Sequence, residues 1–353
     1  MTIASRPSEA GLASAASAGD ETEIIRQLTA LCRAKTGDPD ATVSEIGALP
    51  GHAGFSYSFV LEATSEGVAK REKLVIRLAP AGVRISGTAD VVRQARVMAS
   101  LAGTAVPVPP VRWYDHDPAW FGRPFYVVGF IEGHTLLPEQ PQLDQKGIHR
   151  LAREGIRALF TLHQLDWRSR QQIWGEPFDF SEEFKRLDYL LDRPTLDPEM
   201  VRLAPKLRER LRSTMPAEPR IGLVHGDFQW SNLLMRDGEL LAVIDWELSL
   251  IGAVMIDLGW FCLFCDADSW VGNGLRPEHC LSPEEITALY SDAANRSVTD
   301  EVRWFRALAG YRFGVITVFN VMLHRRGKRI DPLWEEIGRS GSRLFERGLE
   351  LLG

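Results

Sequence analysis

The sequence predicts an α+β protein in two parts, a strand-rich N-terminal part followed by a mainly helical C-terminal part. Two patterns carry this. Between Val43 and Phe130 the apolar residues fall in short runs broken by glycine and proline, whereas beyond Gly133 most segments repeat at helical spacing. A third observation places one strong hairpin inside the helical part, where Asp237-Gly238 separates two apolar runs as a type I′ turn does.

Residues 1–20 are rich in alanine and serine without a continuous apolar core, and read as a flexible tail. Glu21 to Lys35 has Ile24, Ile25, Leu28, Leu31 and Cys32 at the spacing of an amphipathic helix. Phe55 to Ala63 and Lys73 to Leu78 are strand-like, joined by a polar turn near Ser65-Glu66-Gly67. Val91 to Leu101 reads as a helix ended by Gly103 and then Pro107. Val111 to Tyr114 and Pro124 to Phe130 follow as strands. The C-terminal part predicts helices over 147–165, 181–191, 198–212, 282–294, 299–323 and 332–352, with Ile221–Val224 and the hairpin as its strong strands. The parts are expected at 21–130 and 131–353, a bilobal α+β layout.

The composition excludes several classes. With 353 residues, 45% hydrophobic and 25% charged, the chain has the balance of an ordinary globular protein. A net charge of −6 gives no footprint for nucleic acid or an anionic membrane. No run approaching ~18 apolar residues is evident. Four scattered cysteines do not make a disulfide framework and point to a reducing cytoplasm.

The chemistry sits in His225-Gly226-Asp227-Phe228-Gln229-Trp230-Ser231-Asn232, followed by Asp245 in Ile244-Asp245-Trp246-Glu247. Asp-x4-Asn followed by Asn-x12-Asp is the set of oxygen side chains that magnesium-dependent phosphoryl transfer needs. One Asp accepts the proton of the attacking hydroxyl, while an Asn and a second Asp hold Mg²⁺ on the nucleotide phosphates. With Arg236 facing Glu239 across the turn, an unbroken ladder puts Asn232 opposite Val243. Asp245 is then its diagonal neighbour on the same face, about 7–8 Å away between backbones.

At these residues the chain resembles the aminoglycoside phosphotransferase/choline kinase family, which has a protein-kinase-like fold. It looks closest to the branch whose relatives include the phosphotransferase domains fused to acyl-CoA dehydrogenases. The resemblance runs from about Gly51 to the C-terminus. It implies Asp227 as catalytic base, Asn232 and Asp245 as metal ligands, and Asp257 as a brace for the catalytic loop. Gly252-Ala253-Val254 stands where relatives often have Gly-Asp-Pro.

The nucleotide side is expected in the N-terminal part. Gly51, Gly54 and Ser56, just ahead of a strand, offer backbone N–H groups to phosphate oxygens. Kinase folds carry a phosphate-binding cation on the next strand and a Glu on the following helix. Here Arg77 takes the cation's place, and Gln94 stands where relatives have Glu. Phe125 to Gly133 resembles the strand and hinge that hold adenine, with Gly129 and Ile131 contributing carbonyl and amide and Val128 bordering the pocket. ATP, or another nucleoside triphosphate, is the donor so implied.

Other signals read as structural. Cys262-x-x-Cys265, with no second pair, reads as two buried thiols. His163 reads as a hydrogen-bonded core histidine, and His225 as a residue fixing the catalytic loop through a backbone group or Asp257. The basic run Arg325 to Arg329 suits a helix C-terminus, with attraction of an anionic substrate as the alternative. Protein kinases have an Arg before the catalytic Asp and a long activation loop. Here Gly226 precedes Asp227, and eleven residues separate Asp245 from Asp257. The expectation is a kinase acting on a hydroxyl of a small molecule. A nucleotide-binding pseudokinase or scaffold is the alternative, opposed by the joint presence of Asp227, Asn232 and Asp245.

Overall fold

The computed structural model describes residues 18–49, 55–80, 87, 90–136 and 143–353. They divide into two compact units. One takes the chain to Ala102 together with Val108–Glu132, the other Gly103–Pro107 together with Gly133–Gly353.

In the first unit, α1 (Ala18–Thr36) precedes β1 (Thr42–Ala48), β2 (Phe55–Ser65) and β3 (Val68–Leu78). Then come α2 (Val91–Ser100), β4 (Val111–Asp115) and β5 (Phe125–Gly129). The five strands form one antiparallel sheet in the order β1-β2-β3-β5-β4. The β2–β3 hairpin turns on Glu66 and Gly67, both at positive φ (52° and 75°), with Ser65 paired to Val68. The polar turn expected near Ser65-Glu66-Gly67 is thus a two-residue one, with strands running further than the apolar runs alone indicated. Alternation does the rest. Leu74, Ile76 and Leu78 of β3 enter the core with Leu28 and Leu31 of α1, while Val75 and Arg77 face the other side. Helix α2 begins at Asp90, whose carboxylate accepts from the Val92 and Arg93 N–H groups, and it packs on β4 and β5.

In the second unit, α3 (Gln145–Gln164), α4 (Phe180–Leu191) and α5 (Ala204–Ser213) lead to β6 (Ile221–Val224). The hairpin β7 (Leu233–Arg236) and β8 (Glu239–Val243) follows, then β9 (Leu250–Ala253) and α6 (Met255–Leu263). Helices α7 (Pro283–Ala294), α8 (Thr299–Arg325) and α9 (Gly341–Leu352) complete it. The long α8 is the centre of the unit, with α6, α9, α4, α5 and α7 packed around it.

Four expectations are corrected. The helix expected over 198–212 is interrupted: a turn at Pro198–Val201 is followed by a new start at Ala204, with Pro205 in the first turn. Proline fits there because a first-turn N–H has no intrahelical partner to lose. The helix expected over 332–352 breaks between Gly338 and Gly341, where added Cβ atoms would meet Val321 and Met200 below 3.0 Å. Strand β9 was not foreseen. It pairs antiparallel with β6, Gly222 against Gly252, so the Gly252-Ala253 segment is strand and not loop. Finally, an 18-residue window of α8 reaches a mean hydropathy of 1.2, apolar enough by composition to cross a membrane, and 78% of that window is buried within the fold. It is accounted for as a core helix.

Candidate active site

The site grows from the loop that joins β6 to a single 3₁₀ turn at Trp230–Asn232. As β6 ends, the His225 N–H donates to Asp257 Oδ2 at 2.7 Å and the Gly226 N–H to Asp257 Oδ1 at 2.8 Å. One fully buried carboxylate at the start of α6 therefore clamps two successive backbone groups, the bracing role expected of Asp257. His163 Nε2 lies 3.2 Å from Oδ2, and its Nδ1 lies 2.7 Å from the Tyr290 hydroxyl. With Nε2–H donating to the carboxylate, Nδ1 accepts from the tyrosine, a neutral imidazole satisfied at both ends.

His225 holds the loop from its other side. Its Nδ1 accepts the Asp227 N–H at 3.3 Å, so Nε2 carries the proton and donates to the Ile244 carbonyl at 3.0 Å. Gly226 between them is required twice over. Its φ is +86°, and a Cβ there would lie 2.2 Å from the Leu248 carbonyl oxygen. Gly226→Ala is expected to lower the unfolding free energy by about 3 kcal/mol, read from the denaturant midpoint, because backbone strain adds to a clash with main chain that cannot rotate away.

This loop aims Asp227 inward. Its Oδ1 accepts from Trp260 Nε1 at 2.8 Å and from Gln229 Nε2 at 2.9 Å, and its Oδ2 from Asn232 Nδ2 at 3.1 Å. Asn232 Nδ2 also donates to the Asp227 carbonyl at 2.8 Å. Two acceptors face that amide edge, so nitrogen must occupy it, which leaves Oδ1 as the amide's acceptor atom. Burial raises the Asp227 carboxyl to about 7, and the Asp245 charge adds to the rise, while the three side-chain donors oppose it.

The hairpin delivers Asn232 and Asp245 by a route the sequence did not reveal. Asp237 and Gly238 have φ of 52° and 75°, the expected turn, and Arg236 does face Glu239. The next pair also follows the unbroken ladder, which fails beyond it. Met235 pairs with Leu240 and Leu234 with Ala242, so Leu241 bulges out and Leu233, not Asn232, stands opposite Val243. Asn232 instead accepts the Ile244 N–H at 3.0 Å. Asp245 reaches the site because it leaves extended geometry, at φ 63° and ψ 62°. Such a conformation in a non-glycine residue is uncommon, and Asp is among the residues that adopt it most readily.

Asp227, Asn232 and Asp245 are therefore brought together, as expected. The Asn232 amide oxygen and the Asp245 carboxylate are hard oxygen donors of the kind Mg²⁺ takes, and the repulsion between Asp227 and Asp245 is what a divalent cation would relieve. Among the described residues no group of three or more His, Cys, Asp or Glu side chains could hold a metal by itself. Cys262 and Cys265 are buried free thiols, with Cys262 pushed up to about 12 by burial. Of the basic run, Arg325 lies in the last turn of α8 and pairs with Glu335.

In the first unit, Arg77 is the register partner of Ser56 on one side and Tyr126 on the other, so two expected phosphate-side residues stand side by side on the face opposite the core. The Gly129 N–H donates to the Pro110 carbonyl, and a Cβ at Gly129 would lie 2.8 Å from the Pro110 ring. Phe130 N–H donates to the Lys73 carbonyl, and Ile131 follows half-buried. Gln94 is 2% exposed in α2. Gly51 and Gly54 lie outside the described residues. Sequence reasoning missed Gln229 and Trp260. The available signal was the i, i+3 spacing of Asp257 and Trp260, which is one face of a helix once α6 is recognised.

The buried groups also set a pH response. Burial holds His163 and His225 below the ordinary 6.5. Below that pH the unfolded chain takes up two protons that the fold binds less readily. Asp227 opposes them, since the folded carboxyl binds its proton near 7 and the unfolded one only near 3.8. The balance below about pH 6.5 is therefore at most one extra proton on the unfolded state. Stability should therefore fall as pH falls, by up to about 1.4 kcal/mol per unit, measurable as urea midpoints from pH 7.5 to 5.

The model of the phosphotransferase enzyme family matches residues 56–290, more than half of the chain. A probable acyl-CoA dehydrogenase of Arabidopsis thaliana is 30% identical over 269 residues, covering 70% of this chain and 32% of that protein. The chain thus spans about a third of the length of this curated relative. Among solved structures, a candidate aminoglycoside phosphotransferase of Ralstonia eutropha superposes with a TM-score of 0.72 at 22% identity, covering 93% of this chain and 97% of that one. A thermostable aminoglycoside phosphotransferase mutant, in ternary complex with ADP and hygromycin B, gives a TM-score of 0.58 at 15% identity over 92% and 98%. The fold is the protein-kinase-like one expected from the sequence, and the acyl-CoA dehydrogenase kinship agrees with the expected branch.

Proposed function

The chain belongs to the phosphotransferase enzyme family, and from that premise we propose that it moves the γ-phosphoryl group of ATP, or of another nucleoside triphosphate, to a hydroxyl of a small molecule. The observation that carries this reading is the orientation of Asp227: a buried carboxylate held by three side-chain donors, on a loop that Asp257 clamps through backbone N–H groups. In the proposed step the acceptor's O–H bond breaks and its proton passes to Asp227. The acceptor oxygen forms a bond to the γ-phosphorus as the bond to the β–γ bridging oxygen breaks, and the nucleoside diphosphate leaves.

Asn232 Oδ1 and the Asp245 carboxylate are the groups that would hold Mg²⁺, which supplies charge neutralisation on the phosphates when bound. Such a cation would also offset the Asp245 charge and bring Asp227 down from about 7 towards its ionised form. On the donor side, Gly51, Gly54, Ser56 and Arg77 are assigned to the phosphates, and the Gly129 carbonyl and Ile131 amide to the base. The neighbour that holds ADP and hygromycin B supports a nucleotide donor and a small-molecule acceptor in this fold. The free cysteines suit the cytoplasm expected from the sequence.

The test is a transfer assay with γ-labelled ATP and Mg²⁺ against hydroxylated acids, acyl-CoA esters, amino alcohols and sugars. Label on one of these compounds, lost when Mg²⁺ is chelated, is the expected result. Label on protein side chains alone would overturn it.

A further inference from the structure

Asp227 is gripped on one side by a residue whose own position is elaborately fixed. Trp260 is fully buried, and its indole N–H ends on Asp227 Oδ1. Gln229 donates to the same oxygen, whereas Asn232 alone of the described side chains donates to Oδ2, at the longer 3.1 Å. A carboxylate oxygen has two lone-pair sites, so Oδ1 is saturated and Oδ2 retains one. Indole N–H is a donor only and cannot take a proton from its partner. Whatever proton Asp227 acquires must therefore sit on Oδ2.

The indole is held in turn from several sides. Phe264 and Phe313 meet its ring edge-on at 5.6 and 5.9 Å between centroids. The Arg312 guanidinium lies over it, 4.9 Å from the centroid. Arg312 Nε is 2.8 Å from Glu183 Oε1, and Glu183 also binds Arg186 through both oxygens, at 2.7 and 2.9 Å. Next to Trp260, Gly259 lets α6 lie directly on α8, for a Cβ there would meet the Phe305 main chain at 2.5 Å. A phenylalanine at 260 would fill the same aromatic cluster and stack under the same arginine. Only the N–H needs tryptophan.

We propose that Trp260, backed by Arg312 and Glu183, is a positioning residue that locks Asp227 in one rotamer and reserves Oδ2 as the atom that takes the acceptor's proton. This rests on Asp227 being the base. Trp260→Phe removes the donor and keeps the ring. It is expected to lower kcat for Mg-dependent ATP turnover by roughly 10- to 100-fold, as loss of a hydrogen bond to a charged group does, with the KM for MgATP unchanged. Arg312→Met should lower kcat by several fold, and Arg312→Lys, which keeps a cation over the ring, should restore most of it.

The contact can also be read without turnover. In ¹⁵N-tryptophan-labelled protein the Trp260 indole signal, assigned by its disappearance in Trp260→Phe, should move in Asp227→Asn and in Arg312→Met. Unchanged kcat in Trp260→Phe, or an indole signal indifferent to Asp227→Asn, would overturn the positioning role alone. Absence of ATP turnover in the parent chain would instead overturn the function proposed above. Should Trp260→Phe not fold, Arg312→Met and Arg312→Lys decide the question by loss and rescue.

Discussion

Asp227→Asn is expected to lower phosphoryl transfer by about 10²- to 10⁴-fold while the nucleotide still binds with its parental affinity. The substitution is nearly isosteric. An asparagine carbonyl in the Oδ1 position still accepts from Trp260 and Gln229. Its amide then faces Asn232 Nδ2, where Oδ2 had accepted, and it has no site for the acceptor's proton. The fold should not suffer in step with the chemistry. Burial and the Asp245 charge hold the parent carboxyl near 7, so the ionised form is a cost the variant no longer carries at neutral pH. The unfolding midpoint should therefore stay close to that of the parent. ATP consumption, nucleotide binding by calorimetry and a denaturant curve on the same preparation separate the three effects. Intact turnover would remove Asp227 from the role of base, and lost nucleotide binding would make the defect one of folding or access.

The same substitution should steepen the acid response. With Asp227 gone, His163 and His225 act unopposed, and below about pH 6.5 the unfolded state gains up to two protons in place of up to one. The slope of stability against pH should rise towards about 2.7 kcal/mol per unit.

How much of this was legible in the sequence depends on the physical range of each determinant. Asp227, Asn232 and Asp245 were found because their spacing is short and the Asp237-Gly238 turn is local chemistry. The helices with one buried face were found for the same reason, since periodicity is written along the chain. Helix α6 was not, because every one of its nine residues, Asp257 included, is buried, and a segment without an exposed face has no period to read. Strand β9 escaped likewise: Leu250–Ala253 is four residues long, and its partner β6 lies far back in the sequence.

The hairpin register shows a subtler limit. The turn and the first two pairs were right, yet a single unpaired residue, Leu241, shifted everything beyond it by one. A one-residue shift would ordinarily turn Asp245 to the wrong face. The left-handed backbone at Asp245 compensates, and that compensation has no signature in the residue letters beyond the tolerance of Asp for it. Trp260 was hidden for a related reason. Its hydrogen bond to Asp227 spans 33 residues and joins α6 to the loop after β6, a contact made only by the tertiary fold. Nothing local distinguishes it from an ordinary core tryptophan.

Asp257→Asn should be the most damaging substitution outside the reacting groups, costing about 3 kcal/mol of stability and nearly all turnover. Three N–H donors converge on this carboxylate: His225 and His163 on Oδ2, and Gly226 on Oδ1. An asparagine offers one acceptor atom and one amide. Turned towards Gly226, the amide meets a buried backbone N–H. Turned the other way, it meets the His225 N–H as well as His163. The first arrangement is the less costly, and it still orphans a buried donor and loses a charge-assisted bond, each worth on the order of 1–3 kcal/mol. His163 cannot repair it, because its other nitrogen is already engaged with the Tyr290 hydroxyl. The chemistry fails for a geometric reason. Gly226 is the residue immediately before Asp227, and its left-handed backbone sets the direction in which that side chain leaves the loop. Releasing the Gly226 N–H lets the carboxylate drift from Asn232 and Trp260, and displacements of about 1 Å suffice for losses near 10²-fold. The expected pattern is a lowered denaturant midpoint together with a kcat defect that added Mg²⁺ does not restore. Parental stability with a lost kcat would instead place Asp257 among the groups that touch substrate.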